Sequence, residues 1–242
     1  MEIMDKPLKI DMIYTSIEEL PESIKNLIGL NYLDITGCKG LQHLPSSLFM
    51  LPNFVTLKIR ECCQLGVSFR RIRASHSTCS KLETLHFGNA DLLNEDVHRI
   101  IHNFPNLKDL NVSENKFVSF PTSIIECNKL TRLDVRFCAK LQELPELPLS
   151  VEEVDASFCN SLTWETSNML WTQVCKEKER LQVIMPKTKI PEWFDYVSEE
   201  GFPFFEARGK FPSVALAFVF GEEDPMIQRP YSDGISFGAS LF

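Results

Sequence analysis

The chain has 242 residues, enough for one or two domains, and 44% of them are hydrophobic, an ordinary fraction for a protein that buries a core. Lys and Arg number 25 against 33 Asp and Glu, so the formal net charge is −8. An acidic chain has no general attraction for nucleic acid or anionic lipid, and we expect neither as a partner. No run of about 18 apolar residues occurs, which argues against a transmembrane helix.

From the N-terminus to Leu162 the chain repeats the motif L-x-x-L-x-L-x-x-C/N-x-x-L. Residues 1–20 form a partial copy. Six further copies begin at Leu30, Phe54, Leu82, Leu107, Leu130 and Val151, which are 24, 28, 25, 23 and 21 residues apart. This period is the signature of a leucine-rich repeat solenoid, in which each repeat buries its apolar residues against its neighbours. The sequence therefore predicts an α/β solenoid, a leucine-rich repeat horseshoe, over residues 1–162.

Each copy predicts one short strand followed by a turn. The central apolar residues should stack in one buried column, because side chains alternate along a strand. The column consists of Leu33, Leu57, Leu85, Leu110, Leu133 and Val154. Pairs such as Leu20-Pro21 and Leu144-Pro145 end the extended run, and the apolar stretches after them predict helical or 3₁₀ turns on the convex side. No polar cap precedes Met1, so we expect the natural start of the fold to lie upstream.

One position of the repeat holds Cys or Asn, three residues after the last apolar strand residue. It is occupied by Cys38, Cys62, Asn115, Cys138 and Cys159. In such repeats this side chain lies inside the turn and bonds to the backbone. Disulfides and zinc are the alternatives. The paired spacing of zinc ligands is missing, and residues 1–20 show no signal peptide, so we predict free thiols in a cytoplasmic or nuclear protein.

Two clusters suggest other chemistry. Arg70, Arg71, Arg73 and His76 lie where the spacing of the repeat is interrupted; they could bind phosphate or act as a nuclear address, but we favour a solvated loop on one rim of the solenoid. His98 and His102 would share one helix face as a metal pair, but no third ligand has useful spacing. We therefore expect no metal, no cofactor and no enzymatic activity.

The repeat stops after Leu162. Residues 163–180 predict a helix that caps the solenoid, and its charged run predicts a solvated face. Residues 181–242 carry β-rich runs broken by Pro and Gly, which predict a β-sandwich. Sixty residues are too few to close such a sandwich, so we expect this second domain to be incomplete.

The concave face of the solenoid is the predicted binding surface. Strand alternation directs the residues that flank the buried column toward it. The candidate residues are Tyr32, Asp34, Lys58, Arg60, His86, Asp109, Asn111, Arg132, Asp134, Arg136, Glu153 and Asp155. Their near balance of acidic and basic groups argues against a groove that follows phosphates, and it suits a protein ligand.

Several segments resemble the plant intracellular immune receptors that carry nucleotide-binding and leucine-rich repeat domains. Residues 16–24 look like their recurrent I-x-x-L-P-x-S-I segment, and residues 144–162 are similar to their final repeat. Residues 189–194, Gly201 and residues 210–212 resemble the jelly-roll/Ig-like domain that follows the repeats in the subclass with an N-terminal TIR domain. No G-x-x-x-x-G-K-[ST] loop occurs, so the resemblance does not extend to nucleotide binding or to the NAD cleavage of TIR domains.

The resemblance implies a recognition module of a plant disease resistance protein. Such a module senses a pathogen effector, or holds the receptor inactive by binding another of its domains. Two alternatives remain open: an adaptor built from leucine-rich repeats, and a truncated receptor product with no activity of its own. We also expect Ile190–Phe194 to anchor the second domain, because Trp193 and Phe194 would face opposite sides of a strand; the alternative is an exposed aromatic pair that recognises a partner.

Overall fold

The structure, a computed structural model, describes residues 6–62, 65, 81–177 and 181–185. Within these ranges eight short strands form one sheet, which is parallel throughout and follows chain order. The strands are β1 (Leu8–Asp11), β2 (Leu30–Asp34), β3 (Thr56–Lys58), β4 (Thr84–His86), β5 (Asp109–Asn111), β6 (Arg132–Asp134), β7 (Glu153–Asp155) and β8 (Gln182–Ile184). Because strands that follow each other in the chain pair in parallel, each repeat must contain a crossover connection. This arrangement confirms the predicted leucine-rich repeat solenoid.

The predicted buried column is also confirmed. Each of its six residues pairs in register with the equivalent residue of the next strand, and none has any exposed surface. Ile10 precedes the column on β1 and Val183 follows it on β8. The core is thus one continuous apolar stack along the axis of the solenoid, and each repeat depends on its neighbours for burial.

The convex side holds short helical segments. Three 3₁₀ helices, Glu22–Asn26, Ser46–Met50 and Thr122–Glu126, each begin directly after a proline in extended conformation, as predicted. In the repeat between β4 and β5 an α-helix, α1 (Asn94–Asn103), takes this place. It exposes His98 and His102 to solvent. Among the residues that the structure describes, no group of three or more His, Cys, Asp or Glu side chains could hold a metal ion.

The predicted helix after the last repeat forms as α2 (Trp164–Glu177), with Leu170 and Ser167 fully buried against the core. The strand predicted at the start of the second domain also forms, and its partner was not predicted. It is β8, and it pairs in parallel with β7, so it extends the solenoid sheet. The physical reason is that Leu181 and Val183 are apolar enough to continue the buried stack over the free edge of β7.

The predicted β-sandwich, its Ile190–Phe194 anchor and the Arg70–His76 cluster lie outside the described residues. The domain boundaries therefore stay predictions. The described helices include none that is long and apolar enough to span a membrane.

Where the Cys/Asn position holds Cys or Asn, the side chain ties that repeat to the one before it; the repeat of β4 has Ala90 instead. The Sγ of Cys138 donates to the Val112 carbonyl at 3.4 Å, and that of Cys159 donates to the Val135 carbonyl at 3.0 Å. Cys38 and Cys62 make the same bond to Met12 and Ile35. All four are buried free thiols. A cysteine here acts as a small apolar residue with a weak donor.

Asn115 fills the same position with a larger network. Its Oδ1 accepts hydrogen bonds from the N–H groups of Ala90 and Leu92 at 3.1 and 3.0 Å. Its Nδ2 donates to the carbonyls of Phe87, Val112 and Ser113 at 2.9–3.0 Å. One side chain therefore satisfies five backbone groups in the interior, where unpaired groups are costly.

Substituting Leu110 by Ala should lower the free energy of unfolding by about 2–5 kcal/mol, because it opens a cavity in the middle of the buried column. Leu149→Ala is the matched control, since that leucine is 68% exposed. It should cost about 0.5 kcal/mol or less. Denaturant titration measures both, and equal losses would contradict the burial of the column.

Substituting Asn115 by Ala should cost roughly 2–4 kcal/mol, because buried backbone groups lose their partners. Asn115→Cys installs the side chain that neighbouring repeats use, so it should retain part of that stability. The comparison is made by thermal and denaturant unfolding of the two variants. If Ala and Cys were equally destabilising, the hydrogen bonds of this position would not matter.

The four position-equivalent thiols should be free but unreactive in the folded protein. Burial raises the pKa of Cys138 and of Cys159 to about 12, so neither forms the reactive thiolate at about pH 8. Alkylation followed by mass spectrometry should label them only after unfolding, and to the same extent with and without prior reduction. Labelling that required a reductant would reveal a disulfide.

Candidate partner-binding face

The structure brings all twelve predicted site residues onto one face of the sheet. They fall in three parallel rows, because each strand is in register with the next. The first row contains Tyr32, Asp109, Arg132 and Glu153; the second contains Asp34, Lys58, His86, Asn111, Asp134 and Asp155; the third contains Arg60 and Arg136. We call these three rows the concave face.

The second row is more buried than strand alternation predicts. Asp34, Asn111, Asp134 and Asp155 expose 9% or less of their surface. The reason is a local bond that repeats along the sheet, in which the Oδ1 atom accepts the N–H of the residue two positions later. The acceptor–donor pairs are Asp34–Thr36, Asn111–Ser113, Asp134–Arg136 and Asp155–Ser157, at 3.0–3.1 Å. These oxygens therefore hold the end of each strand, a role favoured by short polar side chains.

Side chains of the second and third rows also join neighbouring repeats. Asn111 Nδ2 donates to Asp134 Oδ2 at 2.6 Å. Arg136 donates to the same carboxylate through Nε at 3.0 Å and Nη2 at 2.7 Å. Its Nε is 3.4 Å from Asp155 Oδ2, a longer contact. Burial raises the pKa of Asp155 even though Ser157 and Arg136 favour its charged form.

Ion pairs fix the middle of the face. His86 Nε2 lies 3.0 Å from Asp109 Oδ2, and Arg132 Nη2 lies 3.4 Å from Glu153 Oε1. Burial alone would raise the pKa of Asp109, but the hydrogen bond and charge of His86, together with the charges of Arg132 and Lys58, outweigh it, and the pKa is lowered. The carboxylate is thus ionised at neutral pH and orients the imidazole.

The amino-terminal part of the face is built around Tyr32. The ammonium groups of Lys9 and Lys58 lie 5.8 and 5.7 Å from the centre of its ring, within cation–π range. Its hydroxyl donates to Asp34 Oδ2 at 3.1 Å. Burial, together with the Asp34 charge, raises the pKa of Tyr32, so the phenol remains a donor.

A further row borders the concave face, and sequence reasoning missed it. In every repeat the residue directly after the third row has a positive φ, between 50° and 73°. We call this the edge row; its members are Tyr14, Gly37, Glu61, Asn89, Glu114, Phe137 and Phe158. A left-handed backbone costs most residues roughly 1–2 kcal/mol, so the turn imposes it against side-chain preference. A Cβ at Gly37 would overlap the present position of the Tyr14 ring.

The edge row ends in a stacked aromatic pair. The rings of Phe137 and Phe158 are parallel within 4°, and their centres are 4.5 Å apart. They remain 45% and 41% exposed. The sequence could have indicated this pair, because phenylalanine in these two repeats occupies a position that is Glu, Asn or Gly in the central repeats.

A protein-family model described as "Disease resistance protein RPS4B-like, leucine-rich repeats" matches residues 1–147. The chain is 32% identical over 149 residues to disease resistance protein RPS4B of Arabidopsis thaliana, covering 61% of this chain and 12% of that protein. It is 31% identical over 140 residues to TMV resistance protein N of Nicotiana glutinosa, covering 58% and 12%. The chain thus spans about an eighth of the length of these relatives.

Among solved structures, the leucine-rich repeat domain of the type III effector XopL aligns at 16% identity, covering 74% of this chain and 68% of that one. The TM-score of 0.42 is too low to support an argument about function. The family match covers more than half of the sequence and agrees with the repeats seen in the structure. On that basis the chain belongs to the leucine-rich repeat family of RPS4B-like disease resistance proteins.

Proposed function

We propose that this chain is a non-enzymatic recognition module of a plant disease resistance protein, and that it binds a protein on its concave face. The ligand is either a pathogen effector or another domain of the same receptor. The observation that carries the proposal is a face of polar side chains held in register over seven strands, β1 to β7.

The chemistry of the face supports a protein ligand. Acidic and basic groups alternate across it in the pairs His86–Asp109, Arg132–Glu153 and Arg136–Asp134. Such a surface offers charges of both signs together with hydrogen-bond donors and acceptors. It suits the mixed side chains of a protein better than the uniform negative charge of a phosphate backbone. These groups are already held by hydrogen bonds, so little side-chain entropy is lost when a partner binds.

In a full receptor, this face would act by differential affinity. An internal domain that binds it in the resting state keeps the receptor inactive, and an effector that binds it better in the active state shifts the equilibrium. We place the module in the cytoplasm or the nucleus, where its buried cysteines stay reduced.

A photo-crosslinking amino acid at Thr84, in the first row of β4, tests this function in leaves that express the chain. The matched control carries the same group at Ile125, which is 49% exposed on the convex side. We expect discrete protein adducts from Thr84 and none from Ile125. A second substitution, Thr56→Arg, should abolish the adducts, because it places a long charged side chain beside Thr84 in the same row.

The comparison of healthy and infected leaves separates the two ligands. An internal receptor domain should be captured in healthy tissue, whereas an effector should be captured only after infection. Identical adducts at Thr84 and Ile125, or adducts to nucleic acid instead of protein, would refute recognition through the concave face.

A further inference from the structure

The stacked pair Phe137–Phe158, which we call the aromatic ledge, is not explained by the fold. Equivalent positions of the edge row hold Asn89 and Glu114 with the same left-handed backbone. Asn is among the residues that tolerate this conformation, and phenylalanine is not. The turn therefore forms without an aromatic ring, and two successive repeats carry the less suitable residue in an exposed place.

The surroundings of the ledge favour a positively charged partner. On β6, β7 and the residues just after them, the concave face carries the carboxylates of Asp134, Glu153 and Asp155 against two guanidinium groups, those of Arg132 and Arg136. Arg132 contacts Glu153, and Arg136 binds Asp134 closely through two nitrogens. Asp155 therefore shares its guanidinium partner, Arg136, with Asp134.

Asp155 offers a specific acceptor. Its Oδ1 takes hydrogen bonds from the N–H and hydroxyl of Ser157 at 3.0 and 2.6 Å. Its Oδ2 has only the 3.4 Å contact with Arg136 Nε, which bonds more closely to Asp134. The Asp155 side chain retains 12% of its exposure. Asp155 and Phe158 are three residues apart in the same repeat.

We propose that the aromatic ledge and Asp155 form a docking site for a segment of a partner protein that presents arginine or lysine beside an apolar side chain. This inference rests on the proposed function and specifies the chemistry of the ligand at the carboxyl-terminal part of the concave face. The apolar side chain covers the edges of the two rings, and the cation lies against an outer ring face and reaches Asp155.

The physical reasons combine two known preferences. Aromatic rings attract cations through their faces, and arginine in addition stacks on them with its planar guanidinium. The same chain already uses this contact at its other end, where Lys9 and Lys58 approach the ring of Tyr32. A cation that also meets an undercompensated carboxylate gains a charge-assisted hydrogen bond, which is stronger than a neutral one.

Fluorescence anisotropy with three labelled hexapeptides tests the proposal on the full chain. The peptides alternate Arg with Leu, Glu with Leu, and Arg with Ser. The wild-type chain should bind the Arg–Leu peptide at least about fivefold more tightly than either of the others. The Arg–Ser peptide measures the general attraction of a cation to a protein with a net charge of −8.

Two variants locate the binding. The double variant Phe137→Asn with Phe158→Asn keeps a residue that the turn accepts, as Asn89 shows, and it should weaken Arg–Leu binding about tenfold. Asp155→Asn preserves the Oδ1 acceptor for Ser157 and should weaken binding about fivefold. The matched controls, Ile125→Ser for exposed apolar surface and Glu126→Gln for charge, should leave it within about twofold.

The outcomes are decisive in each case. Equal binding of the Arg–Leu and Glu–Leu peptides, or an effect of Glu126→Gln as large as that of Asp155→Asn, would overturn the proposal. Thermal melting checks that each variant is folded. If the double variant does not fold, the effect of Asp155→Asn on binding decides the test. If the chain showed no peptide selectivity but Thr84 still formed protein adducts, the ledge would be rejected as a docking site and the proposed function would stand. If Thr84 formed no adducts, the proposed function itself would be rejected.

Discussion

Registered stacking of equivalent residues is the constraint on which the rest of this molecule depends. Each strand pairs in parallel with the next, so a residue at one position of the repeat lies one strand spacing from the same position in its neighbours. The constraint acts on every position alike. It stacks Leu85 on Leu57 and Leu110 in the core, and it aligns the carboxylates and amides of the second row.

Stacking divides the repeat into positions that serve the fold and positions that are free to serve a partner. The apolar column forms the buried core. The side chains at the Cys/Asn position and the Oδ1 acceptors of the second row make hydrogen bonds to the backbone. The first and third rows add ion pairs between neighbouring repeats, and the edge row meets only the requirement of a backbone conformation. Side chains there vary from Gly88 to Arg136 without disturbing the sheet. Side chains at these positions can therefore be changed with less effect on stability than those of the core.

The sequence predicted the features that follow from period and polarity. Repeat spacing placed the buried column, and proline placed the three 3₁₀ helices. Alternation placed the twelve site residues on one face but could not reveal that Asp34, Asn111, Asp134 and Asp155 bend back onto the backbone, because alternation gives direction only. The pairing of β8 was missed since α2 separates it from β7 and breaks the period. The edge row was missed because most of its members are not glycine.

The unequal occupants of the Cys/Asn position have a consequence for how the solenoid opens. Asn115 contacts five backbone groups around β5, whereas the next repeat relies on the weaker thiol donor of Cys138 and the preceding repeat has Ala90 at this position. In an array held by nearest-neighbour contacts, the most tightly bonded unit is the last to exchange its amide hydrogens. The middle of the chain would thus persist as a folded nucleus while the flanking repeats fray, and the aromatic ledge lies in the part that opens first.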